Sequence, residues 1–149
     1  MREFHFRLQS ILDVRRYKED QRRMELGVIA SRCARLQRDI DARQEERQTV
    51  LTVLEPGLRT DDVAYRIAQA AYALRLDREV QALYEDLRNA ETERLEAVER
   101  YRIARRDADV LERLRDRRAA TFRKEQKRDE QKRMDDIAMS RRKHHGSSI

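Results

Sequence analysis

Three histidines and a single cysteine are the side chains of this chain best suited to act as nucleophiles, general bases or soft metal ligands. Their placement assembles none of those sites. His5 stands at one end of the chain, His144 and His145 at the other, and Cys33 lies between them without a neighbour of its kind. A nucleophile needs a base within hydrogen-bond reach, and a zinc site needs three or four converging donors. The sequence has no glycine-rich run that could cradle a phosphate. His144-His145 precedes Gly-Ser-Ser and reads as a chain terminus, while Cys33 reads as a small hydrophobe. The expectation is a non-enzymatic protein with no catalytic, cofactor-binding or metal-ligating residues and no cofactor.

What remains is charge. Residues 124–139, KEQKRDEQKRMDDIAM, mix acids and bases without a glycine or proline. Such a stretch could be a solvated tail, a nucleic-acid-binding arm, or the outer end of a helix that fits into a partner. On a helix, Glu125–Arg128, Asp129–Arg133, Glu130–Arg133 and Lys132–Asp136 are three or four residues apart, the spacing at which opposite charges support one another by roughly 0.2–0.5 kcal/mol. An exposed helix is therefore the expected conformation. The net charge of +6 is unevenly placed: residues 1–111 balance 22 basic with 22 acidic residues, and residues 112–149 hold 13 basic and 7 acidic.

The elements that must carry these charges follow from composition. Charged residues make up 43% of the chain and aromatic ones 5%, with no tryptophan, too little bulky apolar material for a compact core at 149 residues. Yet Leu, Ile, Val and Ala recur regularly, and three glycines with one proline leave room for long helices. The lone cysteine excludes an internal disulfide framework and fits a reducing compartment. No stretch approaches the roughly 20 apolar residues of a membrane span, and the N-terminal segment is too charged for a signal peptide. A cytoplasmic protein with at most peripheral membrane contact is expected.

Pro56-Gly57 is the one strong helix break. It divides the chain into a first helix over about 6–54, a turn over about 55–60, a second helix over about 61–139 and a frayed tail over 140–149. At 1.5 Å per residue the helices are about 70 Å and about 120 Å long. Alternating steps of three and four from Leu26 reach Ile29, Cys33, Leu36, Ile40, Arg43, Arg47, Val50 and Leu54, of which all but the two arginines are apolar. The same steps from Leu76 reach Val80, Leu83, Leu87, Ala90, Arg94, Ala97, Tyr101, Ala104, Ala108, Leu111, Arg115, Arg118 and Phe122. A repeat of 3.5 held over this length is a coiled-coil seam. Before Leu26 the stripe drifts through Val14, Tyr17, Met24 and Val28, which predicts a stutter near Met24–Gly27.

The expected fold is all-α: a single two-helix antiparallel coiled coil, a helical hairpin whose second helix overhangs the first. Counting outward from the turn sets Ile40 opposite Leu76, Leu26 opposite Ala90 and Leu8 opposite Ala108. Residues from about 112 onward then project alone, where the positive excess begins. Near the turn, residues 63–76, VAYRIAQAAYALRL, carry only two charges. If Val63, Ile67, Ala70 and Leu74 face the first helix, Tyr65, Ala68, Tyr72 and Leu76 form an apolar stripe left for a partner, unless the hairpin self-associates to hide it.

Two end segments resemble the flagellar export protein FliJ family. FHFRLQSILDVRRYKEDQRRMEL (residues 4–26) has that family's aromatic-x-aromatic opening, Leu-Gln core and arginine-rich continuation. Lys132-Arg133-Met134-Asp135-Asp136-Ile137-Ala138 matches its closing signature. The resemblance implies a component of the flagellar type III export apparatus whose coiled coil looks like the central shaft of rotary ATPases. It implies entry into the ring of the hexameric export ATPase, promotion of ring assembly and hydrolysis, and coupling to the membrane export gate protein. Handling of export chaperones is also assigned to the family, and motility is the process served. In that reading Phe4, Phe6, Leu8, Leu12, Arg113, Arg117, Arg118, Arg123, Lys127 and Arg128 belong to the ATPase-ring contact, and Tyr65, Tyr72 and Leu76 to the gate contact. No nucleic acid is expected as partner. The alternatives from the residues are a basic coiled-coil nucleic-acid binder and the equivalent injectisome shaft, which needs the same geometry.

Overall fold

The computed structural model describes residues 3–52 and 63–145, with side chains to residue 142. Two α-helices account for nearly all of it: α1 (Gln9–Thr52, 44 residues) and α2 (Val63–His145, 83 residues). They pair antiparallel, so the fold is an all-α helical hairpin. Pro56-Gly57 and the expected turn lie outside the described residues. The chain divides into two compact units, Met1–Lys18 with Ala104–Ile149, and Glu19–Ile103.

In the second of these units the core is a single seam. Ile40, Val80 and Leu87 form its centre, with Cys33, Leu36 and Leu83 packed against them. Leu76, Ala73, Ala90 and Ala97 are also buried. Two helices can shield only one stripe each, so Leu26, Ile29, Cys33 and Leu36 remain half-buried despite their seam positions. Flanking ion pairs mark the register across the seam: Arg47–Asp77 at 2.5 Å, Arg43–Glu79 at 3.3 Å and Arg32–Glu93 at 3.3 Å. Gln44 donates to the Tyr84 hydroxyl at 3.0 Å.

In the first unit, the segment before α1 packs on α2. Phe6, Leu12 and Leu111 form a buried cluster with Leu8 and Leu114 against it. Ala104 and Ala108 are buried beside it. Arg16 Nε meets Glu112 Oε1 at 2.6 Å, and Arg15 donates to the Asp107 carbonyl at 2.8 Å. The chain enters α1 through a turn in which the Gln9 amide donates to the Phe6 carbonyl at 3.1 Å.

Three expectations are corrected. The stutter near Met24–Gly27 does not occur: steps of four and three back from Leu26 reach Arg22, Glu19, Arg15, Leu12 and Leu8, all buried or half-buried, while Val14, Tyr17, Met24 and Val28 are exposed. Polar residues hold seam positions there, their stems covering the seam while their charged ends reach its edge. The counted register is also displaced. Arg47 meets Asp77 and Arg32 meets Glu93, each about two turns further along α2 than counting from Pro56 gives. Packing of apolar layers, Ile40 with Val80 and Leu87, holds this register. Finally, Phe122 is covered by Phe4, so residues 112–122 are not bare.

Candidate interaction surfaces

The distal part of α2, in the first unit, is held at its base by two aromatic rings. Phe4 and Phe122 lie with centroids 5.8 Å apart and planes at 50°. Beyond Phe122, every side chain from Arg123 to Arg142 is exposed except the half-buried Gln126. Arg113, Arg117, Arg118, Arg123, Lys127 and Arg128 are all exposed, and none has a carboxylate within ion-pair distance among the described residues. The four ion pairs expected along residues 124–139 do not close either; Gln131 donates instead to Asp135 at 3.1 Å. Exposed pairs are worth only about 0–1 kcal/mol, which does not hold two long side chains in one geometry. The helix nonetheless continues to His145.

Of the four N-terminal residues expected at the ring contact, only Phe4 presents surface, at 36% exposure. Phe6 and Leu12 are buried and Leu8 is half-buried. These three side chains hold the start of the chain against α2. Met134 and Ile137, one turn apart within the closing signature, are exposed at 66% and 50%.

The start of α2, in the second unit, presents the other surface: Tyr65 and Ala68 are exposed as expected, but Tyr72 and Leu76 are not, and Val63, Ile67, Ala70 and Leu74 are exposed instead of facing α1. Leu76 is 1% exposed and belongs to the core. Tyr72 is half-buried; its hydroxyl donates to Glu46, and the Arg75 guanidinium stands 5.8 Å from its ring centroid. The seam steps back from Leu76 through Ala73, Gln69 and Arg66. Val63, Ile67 and Leu74 therefore turn outward with Tyr65, each at least half exposed. Only Tyr65 of the three expected gate residues is freely presented.

Electrostatics around Tyr72 follow from these contacts. The Tyr72 hydroxyl and then Arg43 hold the Glu46 carboxyl below the ordinary glutamate range. The same hydrogen bond raises the Tyr72 hydroxyl, and Glu46 with Glu79 raises Arg43. The hydrogen bond to Glu46 ties Tyr72 to α1. Among the described residues no three His, Cys, Asp or Glu side chains are grouped to hold a metal ion, and Cys33 is a half-buried free thiol. No described helix is long and apolar enough to cross a membrane.

A family model described as Flagellar FliJ protein matches residues 4–147. The chain belongs to the FliJ family. The match takes in the N-terminal clamp, both helices and the exposed distal part of α2, so the structural features described here fall within it. No curated protein and no solved structure matches the chain. FliJ is a structural component of the flagellar protein export apparatus, and this chain takes that role by family. Neither the aromatic clamp at Phe122 nor the outward set Val63, Tyr65, Ile67 and Leu74 was named as a unit by sequence reasoning. Stepping the seam backward from Leu76 would have found the second.

Proposed function

We propose that this FliJ-family chain acts as a shaft for the flagellar export ATPase, inserting the distal part of α2 into the lumen of the hexameric ring. The observation that carries the reading is a single helix whose side chains from Arg123 to Arg142 are exposed except Gln126, with basic ones that close no ion pair among the described residues. A lone helix is about 10–12 Å across, slim enough for a ring lumen. Arg117, Arg118, Arg123, Lys127 and Arg128 steer this helix toward acidic loops of the ring, raising the association rate and orienting the docked state. Docking promotes ring assembly and ATP hydrolysis.

The second contact, to the membrane export gate, uses the outward residues at the start of α2: Val63, Tyr65, Ile67 and Leu74. Tyr72 supports this surface from its edge, and Leu76 supports it from the core. Contact with the gate places the protein at the cytoplasmic face of the membrane as a peripheral component, and export-chaperone handling belongs to the same assembly. Charge reversal at Arg117, Arg118 and Arg123 tests the ring contact. Stimulation of the ATPase falls in that variant while helicity is retained; full stimulation by the reversed protein contradicts the proposal. Tight, salt-sensitive binding to nucleic acid without any effect on the ATPase supports the basic coiled-coil alternative instead.

A further inference from the structure

The outer face of α1 in the second unit holds a feature that neither the ring contact nor the gate contact uses. Seven arginines lie on α1 within this unit, and five of them are paired: Arg22 with Glu25, Arg23 with Asp20, Arg32 with Glu93, Arg43 with Glu46 and Glu79, and Arg47 with Asp77. Arg35 and Arg38 have no carboxylate within ion-pair distance among the described residues. Both line one shallow groove with Met24, Gly27, Val28 and Ser31. Met24 and Val28 are 63% and 70% exposed, although they are large and apolar. A Cβ added at Gly27 meets nothing within 4 Å, so the backbone there is open to close approach.

We infer that this groove docks an amphipathic helix of a partner protein, one with an apolar face over its first two turns and carboxylates on the same face over the next two. Met24, Val28, Ser31, Arg35 and Arg38 follow one another at steps of three and four, the spacing of a single helical stripe. The stripe spans about 21 Å, the length of about four helical turns. A helix in a groove is read by anchors at this spacing, with Gly27 allowing the backbones to come near. The apolar half and the cationic half select different ends of the same partner. Arg35 and Arg38 supply two exposed positive charges that close no ion pair among the described residues, and a pair of carboxylates one turn apart is their complement. A phosphate backbone would use the arginines but not Met24 and Val28.

The test uses the full chain and a labelled synthetic helix of about four turns, with leucines at heptad spacing over one half and glutamates on the same face over the other. A twin peptide carries lysine in place of glutamate. Fluorescence anisotropy is expected to show the glutamate peptide binding about tenfold or more tightly than its twin. Arg35→Glu with Arg38→Glu reverses that preference, and Val28→Asp weakens both peptides. All three positions are exposed, so far-UV circular dichroism of the variants stays that of the parent. Equal binding of the two peptides overturns the inference, as does glutamate-peptide binding that survives the double reversal. Displacement of the peptide by duplex DNA in preference to unlabelled peptide also overturns it. So does a salt-insensitive dimer that forms through Met24 and Val28 and blocks the groove. None of these readouts involves the export ATPase, so this inference and the shaft proposal fail separately.

Discussion

Leu74 and Leu76 offer a direct comparison of inside and outside on α2. They are two residues apart with the same side chain, yet Leu74 is 60% exposed and Leu76 1% exposed. Leu76→Ala removes a fully covered isobutyl group, for which the transfer and residual-cavity contributions together come to about 2–4 kcal/mol. The lower half of that range applies here, because a seam between two helices has thin walls that settle into the gap. Leu74→Ala removes a side chain already mostly in water and changes stability by about 0.5 kcal/mol or less. Urea unfolding followed by far-UV circular dichroism measures both, and an unchanged denaturant slope confirms that the same surface is exposed in each transition. Equal losses, or a larger loss at Leu74, would refute the seam running through Arg66, Gln69, Ala73 and Leu76, and with it the surface assigned to the gate.

The remaining expectations rest on other parts of the structure. Gly27→Ala stabilises the protein by up to about 1 kcal/mol, since the helix gains alanine's propensity and the new methyl meets nothing within 4 Å; thermal unfolding reads the gain. Phe4→Ala loses the ring contact with Phe122 and costs about 0.5–1.5 kcal/mol beyond its lost area, seen as faster amide exchange in the first unit. The contribution of Glu46 to stability is complete above the ordinary glutamate range and is lost as pH falls through its depressed folded-state value. Tyr72→Phe removes the larger cause of that depression, so the melting temperature of the variant declines less steeply across the acid window. Leu74→Asp with Ile67→Asp leaves helicity and ATPase stimulation at parental levels while lowering export, measured by secretion of flagellar subunits in cells.

Much of the fold was legible because one signal, the 3.5 repeat, is strong in both helices. From Leu76 to Phe122 the apolar members of the stepped series are buried or half-buried, and Arg94 and Arg118 are exposed. What misled was treating exposed apolar residues as evidence of the seam. Val14, Tyr17, Met24 and Val28 suggested a drift, whereas Arg15, Glu19 and Arg22 hold the seam because long polar stems can lie along it. The same error, on α2, set Val63, Ile67, Ala70 and Leu74 inward against the register already established from Leu76. Pairing between helices was less legible still. It depends on which apolar layers meet, Ile40 with Val80 and Leu87, and no single-chain periodicity contains that information. The basic residues of distal α2 were legible as exposed, but the hold of Phe4 on Phe122 joins residues too distant in sequence for spacing to connect.

The claim most in need of a direct measurement is that the distal part of α2 works inside a ring. Purified flagellar export ATPase titrated with this chain, with hexamer formation and hydrolysis followed in the same samples, addresses it. Hexamers are expected to accumulate and hydrolysis to rise together, saturating near one chain per ring. A chain that leaves both assembly state and hydrolysis unchanged, while remaining helical and monodisperse, contradicts the account.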